Sequence, residues 1–469
     1  MGLKSLALSG HLRNISYYSN YLLLKTMAIS NTHKDLAQWA MDLALKNGCQ
    51  ASRISLYAGS STSFEIRDMK IDRLQQAAEN GLSICLFVDG RFGSYSTNRL
   101  DKAELEKFIK DGIDATRYLA EDKARTLPDA SLYYQGGCPD LQLCDPKFDA
   151  LQPDDKAALA MNACNEIMGK DSRIISANAS FSDEQESRYM AASNGFEGET
   201  SHTEYVLTAG VSIRGEGEAR PEADHYDASI FYDTLVKDGI GTKALERVLR
   251  KTGQRKTASG KYAMLLDNTV SSRVLSPLIN ALYGSAIQQN NSFLLNKLGE
   301  KAVGGNVTLT DEPHIVKAFG ARYFDNEGVA TRTLPVFENG VLKTYFIDTY
   351  YANKMKVKPT VSSPSVLTMP LGGKDLEALI AGIHKGIWVT GFNGGNNNST
   401  SGDFSYGVEG FLIENGKPVQ PVSEMNITGN ILDLWSNLTE AGNDPRLSSA
   451  WRIPSLLFAG VDFSGTNDD

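Results

Sequence analysis

The chain has 469 residues, of which 41% are hydrophobic and 22% are charged, and this composition is typical of a globular protein with two or three domains. The formal net charge is −9, and the most basic stretch consists of Arg250-Lys251 and Arg255-Lys256, so the charge disfavours direct binding to nucleic acid. No apolar run of about 18 residues is present, and the sequence therefore predicts no membrane-spanning helix and no membrane association.

The first 26 residues carry Lys4, Arg13 and Lys25 but no acidic residue. His11-Leu-Arg13-Asn14 interrupts the apolar region that a secretory signal peptide needs. A transit-like presequence is one interpretation of this segment. The interpretation that we favour is a dispensable extension over residues 1–26, with the functional chain beginning at Met27.

The first half of the remaining chain, residues 27–250, predicts a mixed α and β domain in which helices cover one face of a sheet. A helix over residues 27–47 has Leu36, Trp39 and Leu43 at helical spacing. Asp101 and Glu104 form a capping pair at the start of a second helix. The other predicted elements are strands over 53–57, 63–66, 82–88, 188–192, 201–213 and 228–232, a loop-rich connection over 128–153, and helices over 154–168 and 238–249.

The five cysteines all lie within this part of the chain, and no pair has Cys-x-x-Cys spacing. An odd number without such a motif is typical of reduced thiols, so we expect a cytoplasmic protein without a disulfide framework or a zinc knuckle. Cys138 and Cys144 alone are a weak metal signal. The cysteines are Cys49, Cys85, Cys138, Cys144 and Cys164.

A polar segment over residues 251–261 predicts a domain boundary, and residues 251–469 then form a β-rich C-terminal domain. A buried strand is predicted over 262–266, strands over 331–337 and 341–347, and a short helix over 375–384. Between them, five apolar residues at helical spacing predict a helix with a buried face, namely Val274, Leu275, Leu278, Ile279 and Leu282. The predicted fold class is therefore α+β, with a mixed α/β N-terminal domain followed by a β-rich C-terminal domain.

Residues 391–430 begin with a run of Gly, Asn, Ser and Thr that predicts a long loop. Asn415-Gly416 then lies between two apolar runs and predicts a β-hairpin, because both residues accept the positive φ of a type I′ turn. Long loops held by rigid elements are where binding and catalysis tend to occur. The candidate substrate-cleft residues are Gly394, Gly395, Asn396, Ser401, Gly402, Asp403, Phe404 and Ser405.

Known catalytic patterns are absent from the sequence. No two of the six histidines lie within ten residues of each other, whereas zinc hydrolases commonly place two one helical turn apart. His225 and His314, which have acidic neighbours, are predicted as surface or turn residues. Ser405 lacks the glycine two positions earlier that a nucleophile elbow requires, so a structural serine is the preferred interpretation.

The C-terminal half contains a series of short motifs in a characteristic order. They are Asp311-Glu312-Pro313, Phe324-Asp325-Asn326-Glu327-Gly328-Val329-Ala330-Thr331-Arg332, Glu338-Asn339-Gly340-Val341-Leu342-Lys343, Ser401-Gly402-Asp403-Phe404-Ser405-x-Gly407, Glu414-Asn415-Gly416, Pro421-Val422-Ser423-Glu424-Met425, Gly429-Asn430, Gly442-Asn443-Asp444 and Pro454-Ser455-Leu456. In their order and spacing, these motifs resemble those of the TldD/PmbA family, whose members were once described as modulators of DNA gyrase. The N-terminal half is similar to the family more loosely, through the region 81–93 and Asn194-Gly195.

The resemblance implies a cytosolic metallopeptidase that works as a two-subunit assembly on small or unfolded peptides. In this family, the TldD-type subunit holds zinc through a His-Glu-x-x-x-His helix and a later cysteine. The PmbA-type partner, also called TldE, has a similar fold and lacks those ligands.

This chain resembles the PmbA/TldE type. At the positions that correspond to the zinc helix it has Leu275, Ser276, Pro277, Leu278, Ile279 and Asn280, without His, Glu or Cys. Near the position of the family's last cysteine it has Leu447-Ser448-Ser449-Ala450, and no cysteine follows Cys164. Without thiolate, imidazole or carboxylate ligands zinc affinity is lost, so we expect no cofactor in this chain and zinc in the partner subunit.

The leading hypothesis is therefore a non-catalytic PmbA/TldE-type subunit that pairs with a TldD-type zinc subunit and encloses a shared chamber for a peptide substrate. The eight candidate residues would offer backbone groups to an extended peptide, and the alternative is a tightly folded loop that needs glycine only for space.

Two rival hypotheses stay open. One is a regulatory or scaffolding protein that binds DNA gyrase or another partner without proteolysis. The other is a stand-alone peptidase whose metal is held by His202, His225 and Asp or Glu residues. The isolated chain can also form a homodimer, because a chain built to pair with a related fold can pair with itself.

Overall fold

A computed structural model describes residues 29–466 of the chain, so the predicted extension over residues 1–26 lies outside the described residues. The α-helices in the described part are α1 (Asn31–Lys46), α2 (Lys102–Thr116), α3 (Pro153–Asn165), α4 (Ile240–Arg250), α5 (Ser272–Asn280), α6 (Gly284–Gln288), α7 (Thr349–Met355), α8 (Leu376–Ala381) and α9 (Ile431–Ser436). The strands are β1 (Ala51–Arg67), β2 (Lys70–Val88), β3 (Arg91–Thr97), β4 (Ile174–Ala192), β5 (Phe196–Ile213), β6 (Glu222–Ser229), β7 (Gly260–Leu266), β8 (Leu309–Asp311), β9 (Leu334–Glu338), β10 (Val341–Leu342), β11 (Leu367–Thr368), β12 (Lys385–Asn397), β13 (Asp403–Glu414), β14 (Lys417–Asn430), β15 (Leu438–Ala441), β16 (Trp451–Arg452) and β17 (Leu456–Ser464). No helix in the described part combines the length and apolarity needed to cross a membrane.

The strands form three sheets. The first has six antiparallel strands in the order β3-β2-β1-β4-β5-β6. The second has the order β10-β9-β8-β11-β16, and the third has the order β14-β13-β12-β7-β17-β15 with an additional β14–β17 pairing. The predicted α+β class is confirmed, since helices and largely antiparallel sheets occur together along the chain.

The first sheet buries one face under helices α1 to α4. Alternate residues of β1, such as Ile54 and Leu56, pack with α1 and α2 in one hydrophobic cluster. Phe181 and Leu207 on β4 and β5 pack with α3 and α4 in a second cluster. Each fully buried side chain of this kind contributes about 1.5–3 kcal/mol, so the alternation fixes which face of the sheet is covered. The opposite face is turned toward the C-terminal part of the chain.

The predicted strands over 53–57 and 63–66 are one strand of 17 residues. The intervening residues are small and polar, and hydrophobic alternation therefore did not indicate them. Their backbone is paired on both sides, with Ala58 opposite Asn80 of β2 and opposite Ser187 of β4. Ladder hydrogen bonds thus maintain the strand where side chains do not.

The prediction of a long loop after Gly391 was wrong, because residues up to Asn397 belong to β12. In this stretch β12 pairs with β13, for example Gly395 with Tyr406, and two register shifts interrupt the pairing. Gly394 and Gly395 have φ values of 99° and 108°, which is the conformation of a bulge that glycine permits. The loop itself is confined to residues 398–402.

Several local predictions are confirmed. Asn415 and Gly416 have φ values of 50° and 75° at the turn between β13 and β14. The Asp101 side chain caps α2 by accepting hydrogen bonds from the backbone N–H groups of Ala103 and Glu104. Two strand predictions had wrong bounds: the strand predicted over 341–347 ends at Leu342, and the strand predicted over 228–232 is instead Glu222–Ser229. In the β9–β10 hairpin the second strand is short because the chain leaves the sheet after Leu342. It then runs toward Tyr283, with which Phe346 forms an isolated β-bridge.

Candidate functional site

A cleft separates the uncovered face of the first sheet from the C-terminal strands, and it contains three adjoining cavities. The basic cavity has a volume of about 650 Å³ and the central cavity about 700 Å³; they share Thr269, Val270 and Phe392 as lining residues. The distal cavity, of about 490 Å³, shares Ala450 and Trp451 with the central cavity. The shared lining residues connect the three cavities into one continuous cleft.

The central cavity lies between α5 and the tail segment that contains Ser449 and Ala450. Ser272 and Ser276, one helical turn apart on α5, face Ser449 and Ala450 across it. The other side of α5 lies in the main core of the C-terminal part, where Val274, Leu275, Leu278 and Ile279 are fully buried. The fold therefore brings together the helix window and the tail segment that the resemblance pairs, and the interpretation of the apolar stripe as core is confirmed.

The residues of the central cavity do not fit zinc. Zinc is held by thiolate, imidazole or carboxylate ligands, whereas α5 and the tail present serine hydroxyl groups, a guanidinium group and the apolar side chains of Ala450 and Trp451. In the window, the Asn280 Nδ2 donates a hydrogen bond to the Ser276 Oγ at 3.4 Å. Over residues 29–466, no group of three or more His, Cys, Asp or Glu side chains is arranged to hold a metal ion.

The eight candidate substrate-cleft residues lie beside these cavities, and none of them lines one of the three. Gly394, Gly395 and Asn396 are in β12, Ser401 and Gly402 are in the turn, and Asp403, Phe404 and Ser405 are in β13. Arg273 connects them to the central cavity that it lines. Its Nη2 donates to the Gly395 carbonyl at 3.1 Å, and its guanidinium lies 4.7 Å from the centre of the Tyr406 ring.

The turn uses its own polar groups internally. The Ser401 Oγ donates to Asp403 at 2.7 Å, and the Asn430 Nδ2 donates to both the Ser401 carbonyl and the Asp403 carboxylate. These hydrogen bonds from Ser401 and Asn430 lower the pKa of Asp403. Phe404 is buried in the core, and Gly402, with a φ of 84°, approaches Phe293. The side chains of the turn thus hold it in shape.

The β12 backbone next to this turn has an unpaired edge. β12 pairs with β13 over most of its length, but it pairs with β7 only through residues 386–389. From Gly391 to Asn397, no strand in the described part of the chain covers the second edge. Phe392, on this segment, lines both the basic and the central cavity. An exposed strand edge beside a cleft is able to pair with an extended peptide.

The basic cavity was missed by sequence analysis. It is lined by more basic than acidic side chains, and the basic ones are Arg67, Arg247, Arg250, Lys251 and Arg446. They come from β1, α4 and the tail, so no sequence motif contains them. Two local signals were present: Arg250-Lys251 belongs to the most basic stretch of the sequence, and Arg247 lies four residues before Lys251, on the same side of the end of α4. Lys251 forms an ion pair of 2.6 Å with Glu409 across the cleft.

His225 lies in strand β6 on the wall of the basic cavity and is partly exposed, so the turn interpretation was wrong. Burial lowers the pKa of His225 to about 4, and the positive charges of Arg247, Lys243 and Arg446 act in the same direction. The imidazole is therefore neutral at physiological pH. His202 lines the distal cavity instead, so the two histidines of the rival metal set are not brought together.

His314 is half-buried next to Cys138. The Cys138 sulfur lies 3.7 Å from Nε2 and 3.9 Å from Nδ1 of the imidazole, and Nε2 is also 3.1 Å from the Thr331 hydroxyl. A sulfur nearly equidistant from both ring nitrogens does not lie along either lone pair. Cys144 is separate from this contact, and burial raises its pKa.

Three domain models of one family match the chain: PmbA/TldA metallopeptidase domain 1 over residues 53–116, the central domain over 146–252 and the C-terminal domain over 259–465. A Bacteroides thetaiotaomicron protein described as a candidate modulator of DNA gyrase is 64% identical, with 93% of this chain and all of that chain covered and a TM-score of 0.92. The metalloprotease PmbA of Escherichia coli O157:H7 is 25% identical over 450 residues, which are 95% of this chain and 99% of that protein. TldE from Thermococcus kodakarensis has the same fold, with 19% identity, 92% of this chain and all of that chain covered, and a TM-score of 0.81.

Proposed function

The chain belongs to the PmbA/TldD family of metallopeptidases, and from this premise we propose that it is the non-catalytic, TldE-type subunit of a two-chain peptidase. The observation that carries the proposal is the central cavity. It lies between the helix and the tail that the resemblance associates with zinc, and its lining there includes Ser272, Ser276, Ser449 and Ala450 and, among the described residues, no His, Cys, Asp or Glu, which supports the proposal. The zinc and its activated water then belong to a TldD-type partner.

In this proposal, the chain binds and orients an unfolded peptide. The unpaired edge of β12 from Gly391 to Asn397 offers backbone N–H and C=O groups to an extended segment, as in strand addition. Arg273 already occupies the Gly395 carbonyl, so the added strand is held on either side of that point. The hydrogen bonds of strand addition are made by the peptide backbone and do not depend on the identity of the side chains. This mode of binding therefore suits a peptidase that acts on unfolded peptides of varied sequence.

The test is to measure bound zinc by elemental analysis and hydrolysis of an unfolded peptide, with the purified chain alone and mixed with a TldD-type partner. We expect no stoichiometric zinc and no hydrolysis for the isolated chain, and hydrolysis for the mixture. Zinc at one equivalent together with activity of the isolated chain would refute the proposal. Gel filtration of the same samples shows whether the isolated chain forms a homodimer and whether the partner replaces one copy.

A second candidate is a scaffolding role without proteolysis, which the description of the Bacteroides relative as a candidate modulator of DNA gyrase favours. Since the net charge is −9, such a role would act through the gyrase protein rather than through DNA. Inactivity in every mixture, combined with binding to purified gyrase, would support this candidate over the first.

A further inference from the structure

The basic cavity has positive charges that the chain does not neutralise. Of its basic side chains, Arg67 is paired with Asp72 and Lys251 with Glu409. Within residues 29–466, no carboxylate forms an ion pair with Arg247 or Arg446. A positive charge that is partly removed from water is costly without a partner, so a site of this kind favours an incoming anion.

Arg446 is the clearest case. Its guanidinium lies 4.8 Å from the centre of the Tyr226 ring, and its Nη1 is buried without a hydrogen-bond partner among the described residues. Arg247 uses one Nη1 bond, 3.1 Å to the Asp224 carbonyl, and the rest of its donors remain available. Two guanidinium groups with free donors are suited to the two oxygens of a carboxylate.

Acidic side chains also line the cavity, and two of them are engaged by the chain itself: Glu409 pairs with Lys251, and Asp267 accepts hydrogen bonds from Thr269. Asp267 is the acid that opposes the positive field at His225, but its Oδ1 already accepts from the Thr269 N–H and hydroxyl at 3.0 and 2.6 Å. Burial, helped by the nearby positive charges, lowers the pKa of His225 and keeps it neutral, and a neutral imidazole does not repel an anion.

One wall of the same cavity is aromatic. Trp388 and Phe411 pack with ring centres 5.2 Å apart and a tilt of 34°, and Phe392 and Tyr226 also line the cavity. The Trp388 indole N–H is buried and has no acceptor in the described part of the chain. An anionic centre beside an aromatic surface matches a ligand that carries a carboxylate and an apolar group.

We propose that the basic cavity binds the C-terminal carboxylate of a peptide whose last side chain is apolar, with Arg247 and Arg446 on the carboxylate and the aromatic wall on the side chain. The cavity has one more basic than acidic lining residue, which suits a single negative charge better than a phosphate dianion. Phe392 joins this cavity to the central cavity, so an anchored peptide runs from its C-terminus along the unpaired edge of β12. The peptide character of the ligand rests on the proposed function.

The experiment is calorimetric titration of the isolated full chain with N-acetyl-Ala-Ala-Phe as the free acid and as the C-terminal amide. We expect the acid to bind at least about tenfold more tightly, because the amide loses the charge-assisted bonds. Arg446→Gln should remove this preference, and Arg446→Lys should restore it in part, since it keeps the charge without the planar fork. Arg99→Gln is the matched control, because Arg99 is exposed and pairs only with Glu104.

Equal binding of acid and amide, or no binding of the acid, would overturn the proposal, and so would an unchanged preference in Arg446→Gln. Displacement of the peptide acid by inorganic phosphate at lower concentration than by acetate would identify a general phosphate site instead. Hydrolysis by the mixture with a TldD-type partner is measured separately. If the mixture hydrolyses peptide but the isolated chain binds the acid and the amide equally, only this inference is refuted. If the isolated chain prefers the acid but no mixture hydrolyses peptide, only the proposed function is refuted.

Discussion

Replacing Leu278 with alanine tests whether α5 is a core helix on one side and a cavity wall on the other. Leu278 is fully buried in the cluster that includes Val274, and the Trp435 indole N–H donates to the Val274 carbonyl at 3.1 Å. Removing the side chain therefore leaves a cavity in rigid surroundings, and we expect a loss of about 3 kcal/mol in the free energy of unfolding. For a domain of about 200 residues, this corresponds to a fall in Tm of roughly 6–12 °C.

The assay is thermal unfolding followed by tryptophan fluorescence, to which Trp435 contributes, together with peptide hydrolysis in the presence of a TldD-type partner below the unfolding transition. Ser276→Ala is the matched control on the cavity side of the same helix, and it should change stability by less than about 0.5 kcal/mol. A normal Tm for Leu278→Ala, combined with a larger loss of hydrolysis than in Ser276→Ala, would refute the division of α5 into a core face and a cavity face.

Three further predictions concern groups that the fold constrains. Asp311→Ala should lower the free energy of unfolding by about 2–4 kcal/mol in chemical denaturation, because the Asp311 Oδ1 accepts hydrogen bonds from two buried backbone N–H groups at 2.8 and 2.9 Å. Asp311→Asn should cost less, and equal losses in the two variants would contradict the argument. Gly410→Ala should cost about 2 kcal/mol or more, since its Cβ would lie 1.9 Å from the Trp388 carbonyl, whereas Gly373→Ala, with nothing within 4 Å, should be neutral. The pKa of His225, lowered to about 4, means that the unfolded chain takes up a proton that the folded chain excludes, so stability should fall as the pH drops from about 6.5 to 4. His225→Gln should show a shallower decline in that window, and an unchanged slope would contradict the assignment.

Local patterns in the sequence were sufficient for features that depend on neighbouring residues. The Asn415-Gly416 turn, the Asp101 cap and the apolar stripe around Leu278 each follow from conformational or packing preferences that act within one turn or one helix. The strand over 391–397 was missed for the same reason. Its Gly and Asn residues favour a loop locally, and pairing with β13 overrides that preference.

The predicted boundary at residue 251 falls between α4 and β7, and the division of the chain into independently folding domains stays a prediction. The role of the eight residues around Gly402 in substrate binding also stays a prediction. The side chains of the turn form internal hydrogen bonds, whereas Gly394, Gly395 and Asn396 belong to the β12 segment whose second edge is unpaired.

The sequence by itself determined the α+β class, the family and the lack of His, Glu or Cys in the window over residues 275–280, because these are properties of residue identity, order and periodicity. Only the tertiary structure showed that Ser276 and Ser449, more than a hundred residues apart in the chain, face each other across one cavity. Likewise, only the tertiary structure showed that Arg247, His225 and Arg446 line the basic cavity together. A cleft is made by the packing of distant elements, and its charge depends on which side chains remain unpaired there, so neither property can be read from local pattern.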